Sequence, residues 1–162
     1  GVRQTRLLLS NGTTLPVSLG EQAVAWCLVD VHVSARAHLD YCNLNAFAAV
    51  GQVFVCYGPA GTRGMLSVNG SPLEVIVPPT GRIPLTVDHE GLTIVVASEE
   101  QIDSIYIGDD AALIGVCGVT PEGFPILPAG VKTYTRAGAD GVFVKSGDLA
   151  AMCATLDRFV PR

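Results

Sequence analysis

Short apolar runs, broken every few residues by Gly, Pro, Asn or Asp, set the rhythm of this chain. That rhythm belongs to strands joined by tight turns. It predicts strands at Arg6–Leu9, Leu15–Leu19, Val24–Val33, Ala35–Tyr41, Gln52–Tyr57, Gly64–Val68, Leu73–Val77, Ile83–Val87, Leu92–Ala97, Ser104–Ile107 and Ala112–Cys117, with weaker patterns at Lys132–Thr135 and Gly141–Val144. Several alternate with period two, as a strand does when one face is buried and the other is wet. Leu66 and Val68 fall on one side of their run, and Leu73, Val75 and Val77 fall opposite Glu74. Val24–Val33 is more continuously apolar, which predicts a central strand covered on both faces. The core expected from these patterns comprises Trp26, Leu28, Val53, Val55, Leu66, Val68, Val75, Ile94 and Val96.

The turns carry their own chemistry. Asn69-Gly70 is a pair suited to a type I′ hairpin, in which both central residues take positive φ, and Asp88–Gly91 can close a second hairpin around Gly91. Two successive hairpins with no helix between them exclude a parallel α/β sheet. Helical pattern is scarce. Glu99–Asp103 can form one turn, and residues 147–159 predict the one longer helix. There Leu149, Met152, Cys153 and Leu156 make a stripe at i, i+3, i+4 and i+7, with Asp148 as a cap. The fold class expected is all-β, an antiparallel β-sandwich or jelly roll with a short C-terminal helical segment. It forms a single domain over 1–162, with a core sandwich in 1–118 and a looser tail in 119–162.

Composition narrows the partners. A length of 162 residues suits one domain. The charged fraction is 15%, below the usual ~25%, which suits a chain whose surface is partly covered by a neighbour. A net charge of −5 with scattered Lys and Arg argues against nucleic acid. No apolar run approaches the ~20 residues of a membrane helix, so no membrane partner is expected. The leucine run at Leu7–Leu9 is too short for a signal peptide. Cys27, Cys42, Cys56, Cys117 and Cys153 are odd in number and contain no CxxC pair. They read as free thiols, three of them inside strands, in a reducing and hence cytoplasmic compartment.

The chain lacks phosphate-loop, nucleophile-elbow, zinc-protease and dinucleotide-glycine patterns. His32 and His38 are too far apart, with Arg36 between them, for the paired-histidine metal site of a jelly roll, and His89 stands alone. No metal or cofactor is expected. Asp30, Asp40, Asp103, Asp109, Asp110 and Asp140 are the candidates for a paired-carboxylate glycosidase site, but Asp109, Asp110 and Asp140 sit at turns, where Asp bonds its own backbone. Asp30 and Asp40 lie in strand-like segments and need a partner such as Arg36 or Arg63 if buried. A hairpin through Ser34 brings Asp30 toward His38. Trp26, flanked by Val24, Ala25 and Leu28, reads as core, and Tyr41 and Tyr57 read similarly. If a ligand site exists, its candidates are Trp26, Tyr41, Asn43 and Tyr57, since an exposed aromatic ring can stack on a sugar. No catalytic residue is assigned.

Three segments, in order, carry a resemblance. They are Ala37-His38-Leu39-Asp40-Tyr41-Cys42-Asn43-Leu44; then Val53-Phe54-Val55-Cys56-Tyr57-Gly58-Pro59-Ala60-Gly61 with Gly64–Val68; and then Leu92 through Ser98-Glu99-Glu100 to Ile105-Tyr106. Their order and spacing resemble the β-sandwich region that follows the catalytic (β/α)8 barrel in β-galactosidases of glycoside hydrolase family 35. The similarity covers roughly residues 24–118 and includes a Tyr-Gly-x-x-Gly turn at Tyr57, Gly58 and Gly61. It departs where those relatives place a Trp and this chain has Ile105-Tyr106. The family's catalytic carboxylates sit on the barrel, so none carries over. The resemblance implies a non-catalytic accessory domain of a carbohydrate-active enzyme, partnered by the adjacent barrel of the same polypeptide. A free-standing carbohydrate-binding module and a structural or oligomerisation sandwich stand as alternatives.

Overall fold

Strands account for almost all of the regular structure. A computed structural model of the chain describes residues 3–19, 24–79, 81 and 83–147. Strands β1 (Arg3–Leu8) and β2 (Thr14–Leu19) form a hairpin, followed by β3 (Leu28–His32), β4 (His38–Cys42), β5 (Asn45–Val50) and β6 (Val53–Gly58). Next come β7 (Arg63–Val68), β8 (Ser71–Ile76), β9 (Leu85–His89) and β10 (Leu92–Ser98). A single 3-10 turn at Gln101–Ser104 leads to β11 (Ile105–Ile107) and β12 (Ala111–Ile114). The short pair β13 (Gly118–Val119) and β14 (Pro125–Ile126) and a hairpin of β15 (Thr133–Gly138) and β16 (Gly141–Ser146) complete the order. The helix expected over 147–159 lies outside the described residues, Gly147 apart.

Three four-stranded sheets dominate, in the orders β3-β4-β7-β8, β5-β6-β10-β9 and β11-β12-β15-β16. The fold is thus all-β and mostly antiparallel, as the turn spacing implied. One pairing departs from that expectation. Strands β6 and β10 run parallel, from Val53 beside Thr93 to Gly58 beside Ser98. The chain between them builds β7 and β8 into another sheet and returns through β9, which supplies the long crossover that parallel neighbours require. Residues on either side of position 118 share one sheet, because β12 pairs with β15 from Ala111↔Gly138 to Ile114↔Thr135.

The alternation of side chains along β6 and β10 divides the core in two. Phe54, Cys56, Ile94 and Val96 join Leu39, Cys42, Leu66, Val68 and Val75 in one cluster. Val53, Val55, Val95 and Ala97 join Ile105, Ala112, Ile114 and Ala137 in the other. The middle sheet is therefore covered on both faces, and every residue of β10 is buried. A strand covered on both sides has no wet face, which is why its sequence, Leu-Thr-Ile-Val-Val-Ala-Ser, carries no charge.

This is the place the sequence pattern gave to Val24–Val33, and that expectation is corrected. Residues 24–27 form no strand, and β3 is the edge of its sheet, paired to β4 alone. Trp26 is not core. It is 72% exposed, because its backbone N–H is tied to the Asn45 side chain at 2.8 Å and strand pairing begins only at Leu28. Leu28 packs against the first cluster. Val53 and Val55 lie in a different cluster from Leu66, Val68, Val75, Ile94 and Val96.

Candidate functional site

The densest set of polar side chains gathers around His38. Asn69 and Gly70 form the turn between β7 and β8, with φ of 50° and 78°, the left-handed pair that the sequence suggested. The Asn69 carboxamide reaches back to the start of β4: its oxygen accepts the His38 N–H at 2.9 Å, and its nitrogen donates to the Arg36 carbonyl at 3.0 Å. The ladder between β4 and β7 shifts register between Leu39 and Tyr41, so Asp40 is the extra residue of a bulge. Bulges re-aim side chains. Here the Asp40 carboxylate accepts from the Ser67 hydroxyl at 2.7 Å and from the Gly70 N–H at 2.8 Å.

The imidazole of His38 completes the arrangement. Its Nδ1 lies 3.1 Å from Asp40 Oδ1, and its Nε2 lies 2.5 Å from Asp30 Oδ1. Asp30 reaches across because its own backbone is left-handed, with φ 57°, a conformation Asp tolerates better than most residues. The edge of the His32 ring packs against His38, with centroids 4.8 Å apart. The hydrogen bond to Asp30, then that to Asp40, raises the His38 pKa above its ordinary value. The Ser67 hydroxyl, the Gly70 N–H and His38 together hold Asp40 below the usual carboxylate range.

This geometry limits the chemistry available to the cluster. Both ring nitrogens already face carboxylates, which favours the imidazolium over the neutral ring and occupies the positions a substrate proton or a metal would need. A glycosidase pair has to hold a sugar between its two carboxyls. Between Asp30 and Asp40 the imidazole occupies that position. No cluster of His, Cys, Asp and Glu fit to hold a metal ion occurs among the described residues. The partner of Asp30 and Asp40 is thus His38, whereas Arg63 pairs with Glu74 at 2.5 Å. Asp110 and Asp140, which sequence placed at turns, share Arg136 at 3.0 and 2.7 Å.

The four ligand candidates are separated by the fold. Asn43 is buried between β4 and β5, and its side chain is used internally. It donates to the Pro16 and Arg63 carbonyls and accepts the Met65 N–H at 2.7 Å, stitching three segments together. Tyr57 stands opposite Asn45 on β6 and meets the edge of Phe47 with ring centroids 6.4 Å apart. Asn43, Asn45 and Tyr57 line one narrow cleft of about 10 Å³, room for a single water. Trp26 is joined to this group through its N–H bond to Asn45, and its ring projects into solvent. Tyr41 sits apart on β4, beside Val29 and Ser67.

Sequence reading missed Phe47, which is exposed on β5. The alanine-rich stretch Asn45–Val50 gave no strand signal, although the ring stands out within it. The four described cysteines are free. Cys42 and Cys56 are buried in the first cluster, and the Cys56 thiol is pushed well up by its contact with Cys42 and by burial. Cys117, by contrast, is exposed.

Compared with known proteins, the chain matches no family model and no curated protein.

Proposed function

We propose that this chain is a non-catalytic accessory domain of a carbohydrate-active enzyme. In this reading it is a β-sandwich of jelly-roll type, of the kind that follows the barrel in family 35-like β-galactosidases. The observation that carries the reading is the exposed apolar surface on a chain poor in charge. Trp26, Phe47, Ile76, Ile83 and Val144 are all exposed. Of these, Ile76 and Ile83 come together with Pro78, Pro79, Pro84 and Leu85 on one surface, and a contiguous apolar patch favours coverage by a partner. The segments that carry the resemblance fold as β4, β6, β7, β10 and β11, which is compatible with it. The imidazole of His38 held between two carboxylates, and the pairing of Asp110 and Asp140 with Arg136, favour a structural role over a chemical one.

The polypeptide itself provides the test. The messenger that encodes this sequence is read upstream of Gly1. A (β/α)8 barrel with two carboxylate-bearing strand ends upholds the proposal, and an unrelated neighbour removes it. An assay of the chain alone on chromogenic β-galactoside and a panel of aryl glycosides adds a second check, with no turnover expected. Turnover lost in Asp30→Asn or Asp40→Asn overturns the non-catalytic reading.

One observation favours a second reading, a carbohydrate-binding module. Trp26 is pinned through its backbone and leaves its ring free, the form of an aromatic platform for a sugar face. Glycan-array binding that disappears in Trp26→Ala supports it.

A further inference from the structure

The third sheet, β11-β12-β15-β16, has two unlike faces. Ala112, Ile114 and Ala137 belong to the second core cluster, so their neighbours Leu113 and Arg136 stand on the outer face. The register sets Tyr106, Leu113, Arg136 and Phe143 in one row across all four strands. A guanidinium in the middle of an otherwise apolar and aromatic row calls for an explanation.

Two turns hold that guanidinium in place. Arg136 Nη2 donates to Asp110, in the turn before β12, at 3.0 Å. Its Nη1 donates to Asp140, in the turn after β15, at 2.7 Å. Gly138 leaves the space it needs: a Cβ there would lie 2.8 Å from Nη1, well inside the ~3.5 Å of ordinary contact. The Arg136 side chain nevertheless remains 23% exposed.

A cleft of about 430 Å³ opens beside it, a volume within the range of small-ligand sites. The sheet contributes Leu113, Tyr134 and Arg136, and the β11–β12 turn contributes Asp109 and Asp110. The turn between β13 and β14 forms the remaining wall with Thr120 and Pro121. That wall is built in advance of any ligand. The Thr120 N–H donates to the Phe124 carbonyl at 2.8 Å, and the Phe124 N–H donates to the Thr120 hydroxyl at 3.1 Å. The Tyr106 hydroxyl donates to the Cys117 carbonyl at 3.0 Å, which fastens the base of the wall to the sheet.

The charges select the class of ligand. Asp109, Asp110 and Asp140 outnumber Arg136, so an anion meets repulsion at the rim. A cation meets the guanidinium on the floor. A hydroxyl group both donates and accepts, so a polyhydroxyl ligand bonds to the carboxylates and the guanidinium together. The C–H face of a pyranose ring then packs on Tyr134, Leu113 and Pro121. We propose that this cleft binds a neutral saccharide. The inference rests on the carbohydrate reading given above and adds to it a site that shares no residue with Trp26.

Calorimetric titration of the full-length chain with short neutral β-linked gluco-, xylo- and galacto-oligosaccharides tests it. At least one should bind, and Asp109→Ala and Gly138→Ala should each weaken that binding at least about tenfold. Gly138→Ala removes no group from the cleft; its methyl displaces the guanidinium and leaves the charge in place. Asp109 is exposed in a turn, so Asp109→Ala keeps the native urea midpoint and reads binding alone. Trp26→Ala should bind as the native chain does.

Absence of binding by every one of these saccharides overturns the site, while the sequence upstream of Gly1 still decides the accessory-domain proposal separately. Binding that persists in both cleft variants also overturns it, and its loss in Trp26→Ala assigns the sugar to that ring. Tighter binding of a galacturonate oligomer than of its neutral counterpart overturns the neutral class.

Discussion

Asp30 and His38 face each other across the β3–β4 hairpin, with the carboxylate 2.5 Å from the far nitrogen of the imidazole whose near nitrogen faces Asp40. Asp30 holds this position with a left-handed backbone at φ 57°. The hairpin register places His32, not Asp30, opposite His38, so the contact is diagonal. It ties the edge strand β3 to the polar cluster that secures the β7–β8 turn.

The link has a definite pH signature. His38 binds its proton more tightly in the folded chain, chiefly because of Asp30 and then Asp40. Its contribution to stability is therefore complete below the ordinary histidine value of about 6.5 and is lost as pH rises through the higher folded value. Asp40 acts in the opposite sense: its contribution is present above about pH 3.9 and is lost as pH falls through its lowered folded value. Urea midpoints should decline as pH rises above about 6.5 in the native chain and decline less steeply in His38→Gln. A native chain with no decline would show that the imidazolium contacts do not bear on stability.

Asn69 combines two roles that can be separated. It supplies a left-handed backbone and two side-chain bonds, to the His38 N–H and the Arg36 carbonyl. Asn69→Gly keeps the turn and loses only the bonds, whereas Asn69→Ala loses both. The expected cost is about 1–2 kcal/mol for Gly, with Ala higher by up to about 1 kcal/mol. Equal losses in the two variants, measured by denaturant titration, would show that the backbone conformation is not limiting.

How well the sequence reveals each of these features depends on how local it is. Asn69-Gly70 and Gly91 mark their hairpins because φ is a property of one or two residues, and the alternation around Leu66 and Val68 marks a strand with two unlike faces. The pairing of β6 with β10 leaves no such mark, since a parallel neighbour is chosen by the path of the chain between them. Val24–Val33 and Leu92–Ser98 are both apolar runs, and apolarity alone does not say which becomes an edge. Trp26 lies in such a run and is nonetheless exposed. The bond that fixes it comes from Asn45, nineteen residues away. Within the polar cluster, the approach of Asp30 to His38 follows from the hairpin, but the Asp40 bulge that completes it depends on β7. The internal bonds of Asn43 likewise join segments that only the finished fold brings together.

Two core substitutions test the divided interior. Leu66 packs in the first cluster and Ile114 in the second, with the middle sheet between them. Each change to Ala should cost about 2–5 kcal/mol, and the double variant should lose the sum to within about 0.5 kcal/mol. A double variant markedly more stable than the sum would mean that the two clusters yield as one.

Trp26 reports directly on the surface. As the one tryptophan of the chain, it should emit at the wavelength of a solvent-exposed indole and be quenched by acrylamide in the native state nearly as fully as after unfolding. Trp26→Ala should change stability by no more than about 0.5 kcal/mol. Emission shifted to the blue, with shielding from quencher, would return the ring to the interior.

The parallel pairing of β6 and β10 also bears on how the chain emerges during synthesis. When β6 leaves the ribosome its β5 neighbour is already present, but the strand for its other edge lies beyond residues 59–91. The β7–β8 hairpin can close at once, because its partners are close in sequence, whereas the middle sheet waits for a distant one and so forms slowly. Throughout that interval Val53–Gly58 is apolar toward both faces and lacks a partner along one edge. Such a strand is prone to pair with copies of itself. A nascent chain stalled before Leu92 is therefore the form most in need of a chaperone.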